Sequence, residues 1–367
     1  MINNKKYISL ILVYHHNPEY SDGGSISMFE TARWLQEQGE NVCVYTFIRY
    51  DPAPAYEPRF LEALGKNIGI SHKIIPFTGK DMGKSYHQNV LKLVTDTIKK
   101  SETNYAVTCD SDFISLISVS VSGIPGAHFF RSLSNIAIYT NNYYYIKLLQ
   151  KRTVFTASEF LKEQAKQLLG IKAETWLPIP RFYDRPVLQA RNQDNIRNGI
   201  GYYSSGKAKG DDIISAVIEK MPDRRFVIMG GAYSFCRPFP DNVEYIGEVS
   251  DVGKFYRKIN LLLAPSIVKE GLSRVILEAH FNGIPVVANA IGGIPEAMGD
   301  TGILIDMDVP GEFFIHKMAD KYASAIDRIL NDDATYAAYS RKAWERSRIY
   351  QTKQNKISLD LYRRYIA

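Results

Sequence analysis

The run Ile259-Asn260-Leu261-Leu262-Leu263-Ala264-Pro265-Ser266 leads, after Ile267-Val268-Lys269, into Glu270-Gly271-Leu272-Ser273-Arg274-Val275-Ile276-Leu277-Glu278-Ala279. The first part is almost continuously apolar, as a strand buried on both faces of a parallel sheet reads. The second part predicts a loop and then a helix, with Glu270 in the loop and Glu278 further along the helix. A loop between a parallel strand and a helix lies at the carboxyl end of the sheet, where open α/β folds bind ligands. The first N–H groups of such a helix have no intrahelical acceptor and suit an anion such as a diphosphate. Glu270 can there accept hydrogen bonds from sugar hydroxyls, and Glu278 from ribose hydroxyls. Two glutamates eight positions apart occur on many helices as solvated charge. The pair gains weight from two further runs downstream, Gly283-Ile284-Pro285-Val286-Val287-Ala288 and Gly292-Gly293-Ile294-Pro295-Glu296.

Outward from this stretch, strand-like and helix-like segments alternate, the signature of parallel α/β sheets. Apolar runs predict strands near residues 7–14, 41–47, 105–109, 126–130 and 153–157. A second series falls near 200–203, 225–229, 243–246, 261–264 and 286–288. Ser27 and Glu30 have the spacing of a capping box at a helix start. Pro178, Pro180, Pro186 and the polar run Arg191–Asn195 break the pattern, which places an interdomain linker near residues 178–195.

From Ala264 to Glu296 the chain resembles the donor-site signature of retaining nucleotide-sugar glycosyltransferases of the GT-B fold, family four, also called glycosyl transferases group 1. The resemblance implies two Rossmann-like doubly wound parallel-sheet domains facing across a cleft. Residues 1–182 would form the acceptor domain and 183–348 the nucleotide-sugar donor domain. The helix at about 349–367 would pack back on the first. It also implies site residues. Asp22-Gly23-Gly24-Ser25 looks like the family's glycine loop, with Gly24 close to a diphosphate. Gly123-Ile124-Pro125-Gly126-Ala127-His128 looks like the segment carrying an active-site histidine, so His128 is expected beside the transferred sugar. Gly201-Tyr202-Tyr203-Ser204-Ser205-Gly206-Lys207-Ala208-Lys209-Gly210 resembles the Gly-Arg…Lys-Gly diphosphate loop, with Lys209 in the lysine's place.

The loop departs from the family in one respect. Its arginine is missing, and Tyr202 or Tyr203 stands there; Lys207 is the candidate second cation, and Ser204 and Ser205 are candidate phosphate donors. The segment from Asn242 to Val249 resembles the part that contacts the base, which gives Val249 a place in the donor site. Gly271, Leu272 and Ser273 would line the sugar pocket through their backbone, with Glu270 as the catalytic carboxylate and Glu278 on the ribose. The implied reaction is transfer of a hexose-type sugar, with retention, to a hydroxyl of a glycan, glycolipid or small molecule. The implied donor is a UDP-sugar or GDP-mannose, and no metal or cofactor is called for. An epimerase of the same fold acting on nucleotide-sugars, or a non-catalytic binding homologue, remains the alternative. His15 and His16 end the first predicted strand on the acceptor side. No G-x-G-x-x-G comes after a strand, which disfavours an NAD enzyme.

Composition narrows the class further. In 367 residues, 45% are apolar, enough for two cores without staples. The three cysteines, Cys43, Cys109 and Cys236, form no C-x-x-C pair, which disfavours a disulfide frame or thiolate metal site. Asp110-Ser111-Asp112 has the outline of a metal–diphosphate motif, but its place before a predicted helix favours capping. No signal peptide or span-length apolar run is evident, so a cytoplasmic location is expected. Residues 341–367 hold eight basic side chains against two acidic ones, which matches the whole net charge of +6. That segment is a candidate contact with an anionic membrane, fitting a lipid-linked acceptor at the inner face. No nucleic-acid-binding motif accompanies the charge.

Overall fold

A computed structural model of the chain describes residues 6–14, 23–49, 69–110, 112–177, 198–231, 235, 238–247, 249, 252–307, 311 and 313–367. His15, His16, Asp22, Ser111, Cys236 and the whole expected linker, residues 178–195, lie outside the described residues. The chain divides into two compact units, Met1–Ile179 with Gln354–Ala367, and Pro180–Lys353.

Among the described residues unit 1 holds seven strands: β1 (Tyr7–Tyr14), β2 (Asn41–Arg49), β3 (Ser71–Phe77), β4 (Tyr105–Cys109), β5 (Gly126–Phe130), β6 (Thr153–Thr156) and β7 (Glu174–Thr175). They pair in parallel in the order β3-β2-β1-β4-β5-β6-β7. Its helices include α1 (Gly23–Glu37), α2 (Tyr86–Lys100), α3 (Phe113–Val121), α4 (Leu133–Ile138), α5 (Tyr143–Leu149) and α6 (Glu159–Leu169). Successive side chains of a strand point to opposite faces, so both faces of β1 need cover. Ile8, Leu10 and Leu12 share a buried cluster with Met28, Phe29, Ala32 and Leu35 of α1. Ile11 instead joins Val90, Val94 and Ile98, an i, i+4, i+8 stripe of α2. Ser158 caps α6 by accepting the Leu161 N–H at 3.1 Å, and Gly170 ends the helix in the left-handed region.

Unit 2 holds β8 (Gly199–Ser204), β9 (Phe226–Gly230), β10 (Val243–Gly247), β11 (Ile259–Ala264), β12 (Val286–Asn289) and β13 (Gly302–Ile305). All pair in parallel, in the order β10-β9-β8-β11-β12-β13. The helices are α7 (Asp211–Lys220), α8 (Gly253–Tyr256), α9 (Arg274–Phe281), α10 (Ile294–Met298), α11 (Phe314–Leu330) and α12 (Asp333–Tyr365). Every residue of β11 is buried. Leu261 and Leu263 pack with Ile213 and Val217 of α7 and Met318 and Tyr322 of α11. Leu262 and Ala264 turn to Ile276 and Ala279 of α9 and Ile294 and Met298 of α10.

Three local expectations change. The helix expected to start at Ser27 starts at Gly23, so Ser27 is an interior residue whose carbonyl accepts the Thr31 hydroxyl at 2.7 Å, and no capping box forms there. The terminal helix begins at Asp333, well before Ile349, with the Asp332 carboxylate accepting the Ala334 and Thr335 N–H groups. Its last turns belong to unit 1, where Leu361 and Ile366 enter the β1–α1 cluster, and Tyr362 donates to Glu40 and Tyr365 to Glu174. Strands β3, β7 and β13 were not anticipated.

Candidate functional site

In unit 2 the strand order reverses between β8 and β11, and at such a switch point the loops leaving two neighbouring strands diverge and leave a crevice. The loop after β8 is a tight turn over Lys207–Lys209, with Gly206 and Gly210 both in the left-handed region. The loop after β11 carries Pro265 to Ser273. The two loops are joined directly. The Ile267 N–H donates to the Ala208 carbonyl at 3.0 Å and the Ser266 hydroxyl to the same carbonyl at 3.3 Å. Asn289, at the end of β12, donates to the Ser266 carbonyl at 3.0 Å and accepts from Tyr322 at 2.9 Å.

Gly292 and Gly293 back the Glu270 segment. The Gly293 N–H donates to the Glu270 carbonyl at 2.8 Å. Gly292 has φ of +59°, and a Cβ there would stand 2.6 Å from the Glu270 carbonyl oxygen. The glycine pair is therefore needed for a close approach of two backbones. This fixes Glu270, whose Oε1 lies 3.0 Å from Lys209 Nζ. The Glu270 side chain is 14% exposed and that of Lys209 37%, so the pair is partly open to solvent. Gly271 and Ser273 are buried, and Leu272 packs on the β11–α9 cluster. Ser273 precedes α9 without capping it through its side chain.

Glu278 sits within α9, 7% exposed. Its Oε2 accepts the Tyr256 hydroxyl at 2.8 Å, and its Oε1 lies 3.5 Å from Arg274 Nη2. Burial first, then the charge and hydrogen bond of Glu278, push the Tyr256 phenol well above its ordinary value of 10.0. Val249 is half-buried against the same apolar cluster. Lys207 is largely exposed, 3.5 Å from Asp212.

Of the two residues in the missing arginine's place, Tyr202 does not face the crevice. Tyr202 is buried, and its hydroxyl donates to Asp211 Oδ1 at 2.6 Å; the buried Ser204 hydroxyl donates to the same oxygen at 2.9 Å. Ser204 is therefore not a phosphate donor, and of the two serines only Ser205 is exposed. In unit 1, His128 requires a similar correction. It lies inside β5 rather than at its end and has no exposed surface. Its Nδ1 meets the Thr108 hydroxyl at 2.9 Å, and its ring packs on Phe130 and Tyr139. Burial, aided by the Arg152 and Arg131 charges, brings its pKa down to about 3 against an interaction with the Asp110 backbone that raises it. A neutral imidazole so enclosed packs the sheet and has no opening to a sugar. Gly24 stands in the first turn of α1. Asp112 caps α3 through the Ser115 N–H and also accepts the Val13 N–H, both at 2.9 Å, which gives the Asp-Ser-Asp segment a structural role. Among the described residues no cluster of three or more His, Cys, Asp or Glu side chains has a metal-holding arrangement. Among them, too, no helix is long and apolar enough to cross a membrane.

Sequence reasoning missed three residues that hold the candidate site or its loop in place: Tyr256 and Arg274, which contact Glu278, and Asp211, which accepts from Tyr202 and Ser204. Arg274 is four positions from Glu278 and so on the same helix face, a signal available from spacing alone. Tyr256 and Asp211 have no such signal, because only the fold brings them to their partners.

Residues 207–332 match the family model described as Glycosyl transferases group 1. The chain is similar to the D-inositol 3-phosphate glycosyltransferase of Mycobacterium marinum, 28% identical over 193 residues that cover 48% of this chain and 39% of the relative. It thus spans less than half the length of that curated relative. Among solved structures it is similar to sucrose-phosphate synthase from Thermosynechococcus elongatus, at a TM-score of 0.71 and 18% identity, with 98% of this chain and 99% of that one covered. It is also similar to Anabaena Alr3699/HepE in complex with UDP and glucose, at a TM-score of 0.68 and 16% identity, covering 96% and 99%. At these identities the likeness shows the fold, two parallel-sheet α/β domains of the GT-B type.

Proposed function

We propose that this chain, whose residues 207–332 match the glycosyl transferases group 1 and whose fold is of the GT-B type, transfers a hexose-type sugar from a nucleoside-diphosphate sugar to a hydroxyl of a glycan, glycolipid or small molecule, with retention of configuration. The observation that carries this reading is the contact of Lys209 Nζ with Glu270 Oε1 at 3.0 Å, beside the start of α9. Cation, carboxylate and helix start are what a sugar diphosphate needs in one place. Lys209 stabilises the leaving diphosphate as its charge develops, and Lys207 is the second cation. The N–H groups of Leu272 and Ser273 add hydrogen bonds, and Glu270 accepts from the sugar hydroxyls. Glu278 takes the ribose, and Val249 lies on the base side. This assignment calls on neither metal nor cofactor.

No side chain here is assigned as a nucleophile. The bond from the anomeric carbon to phosphate breaks as the acceptor oxygen forms its own bond on the same face. The acceptor's proton passes to the departing phosphate. UDP-sugars and GDP-mannose are the donor classes to try first; the HepE neighbour was solved with UDP and glucose. The exposed basic side chains of α12, among them Arg348, Lys353, Lys356 and Arg363, suit an anionic membrane bearing a lipid-linked acceptor.

The test is nucleotide release from a panel of nucleotide-sugars without acceptor, for wild type and Glu270→Ala. Slow hydrolysis of one donor, lost in the variant, supports the reading and names the donor. Absence of release, with no thermal stabilisation by any nucleotide, overturns it.

A further inference from the structure

The geometry points to Tyr256 as a positioning residue for Glu278: together with Arg274 it fixes the carboxylate in the one orientation that discriminates a ribose from a deoxyribose. The inference rests on the donor reading above and concerns how selectivity arises at that same site.

The carboxylate of Glu278 stands in an unusual place. It belongs to a helix whose neighbours Ile276, Leu277 and Ala279 are buried, and only 9% of its side chain is exposed. An acidic side chain there loses water and must have its lone pairs satisfied by the protein. Arg274 alone does this poorly, since its Nη2 is 3.5 Å from Oε1. Tyr256 does it well. Its hydroxyl has a single proton to give; the Val275 carbonyl is 3.4 Å away and Glu278 Oε2 2.8 Å, so the proton goes to the carboxylate. The ring of Tyr256 is itself fully buried, at the end of the short helix α8 and against Phe255. The donor is therefore rigid, and it removes rotational freedom that a glutamate otherwise loses only when ligand binds.

For a ribose this has two effects. Glu278 is held in one orientation, so both ribose hydroxyls meet a preorganised acceptor. A ligand lacking those hydroxyls leaves a fixed, desolvated carboxylate unmatched, which is how a polar site rejects an analogue that lacks the group it binds. Without the Tyr256 hydroxyl the carboxylate turns toward other partners, and the rejection weakens with it.

The experiment measures binding of UDP and GDP, each against its 2′,3′-dideoxy counterpart, to wild type, Tyr256→Phe and Glu278→Gln, with circular dichroism and melting to verify folding. Tyr256→Phe keeps the ring and its packing. It is expected to weaken the ribonucleotide about tenfold and the dideoxy form by no more than about twofold, as the loss of one hydrogen bond to a charged group implies. Glu278→Gln should narrow the same ratio further. Equal weakening of both nucleotides in Tyr256→Phe, or an unchanged ratio, overturns the positioning role and leaves the donor reading intact. Wild-type protein that binds both forms equally removes the ribose from Glu278. Wild-type protein that binds no nucleotide at all overturns the donor reading and this inference with it.

Discussion

Lys209 and Glu270 come from two loops far apart in sequence, yet their side chains meet at 3.0 Å where the strand order of unit 2 reverses. The pair is partly open to solvent, and such pairs contribute about 0–1 kcal/mol to stability. Its purpose is therefore expected to show in turnover and not in folding. Lys209→Ala should lower kcat/KM for the donor by about a hundredfold, the usual cost of removing one group that stabilises developing charge. Its melting temperature should stay within about 2 °C of wild type, given so small a stability term. Lys207→Ala, a change at an exposed side chain paired only loosely with Asp212, should cost much less. Donor hydrolysis and thermal melts on the three proteins test this; equal losses from both lysines would move the diphosphate away from Glu270.

Gly292→Ala tests the backbone support of Glu270. At φ of +59°, with Glu270 carbonyl oxygen 2.6 Å and amide nitrogen 2.8 Å from the new Cβ, neither strand of chain can yield cheaply. A left-handed alanine costs about 1–2 kcal/mol before any clash, and displacement of Glu270 adds to the loss. We expect at least that destabilisation in urea, together with activity reduced as far as in Glu270→Ala. An alanine variant that retains full activity would falsify the packing argument.

Two buried histidines give the units different responses to acid. In unit 2, burial and then the charge of Arg346 lower His280 to about 3. Its Nε2 meets the Thr301 hydroxyl at 2.7 Å. The folded group stays neutral while the unfolded one gains a proton below its ordinary 6.5, so unfolding takes up a proton and stability falls as pH drops. The slope is about 1.4 kcal/mol per pH unit between roughly 6.5 and 3. In unit 1, His128 behaves alike, but Asp112, raised by burial to about 6, keeps a proton that the unfolded chain has lost. Between roughly pH 4 and 6 the two effects oppose each other, and their sum is near zero. Urea midpoints tracked from pH 7 to 5 should fall for unit 2 and stay level for unit 1. His280→Asn, which cannot titrate, should lose the dependence.

Much of this was legible in the chain because parallel strands buried on both faces read as apolar runs. Tyr7–Tyr14 and Tyr105–Cys109 were delimited to the residue in this way. Edge strands do not read so. β3 is Ser-His-Lys-Ile-Ile-Pro-Phe, half exposed and carrying a proline that only an edge or strand end tolerates. β13, one edge of unit 2, also escaped notice, although Gly-Ile-Leu-Ile is apolar and the opposite edge, β10, was anticipated. At the candidate site, Glu270, Glu278 and Lys209 could be proposed from the sequence because loop and helix chemistry is local in sequence. His128 was misplaced because a motif names a residue without stating which way its strand turns it, and β5 turns it inward. The Tyr256 contact, formed across 22 positions, has no period to betray it.

Tyr202, one of the two tyrosines where the family carries an arginine, lies inside the core. Its hydroxyl shares Asp211 Oδ1 with the Ser204 hydroxyl, and all three residues are buried. Asp211 opens α7, so its charge also lies at the positive end of a helix, where it is favoured. The network ties the loop after β8 to the helix that follows it, and none of its three side chains is a cation. Tyr202→Phe removes one donor from a buried carboxylate, at a cost of about 1–3 kcal/mol in urea unfolding. Nucleotide affinity should change by less than about twofold, since the hydroxyl points away from the ligand side. Affinity lost with stability intact would mean that Tyr202 faces the diphosphate after all, in the arginine's role.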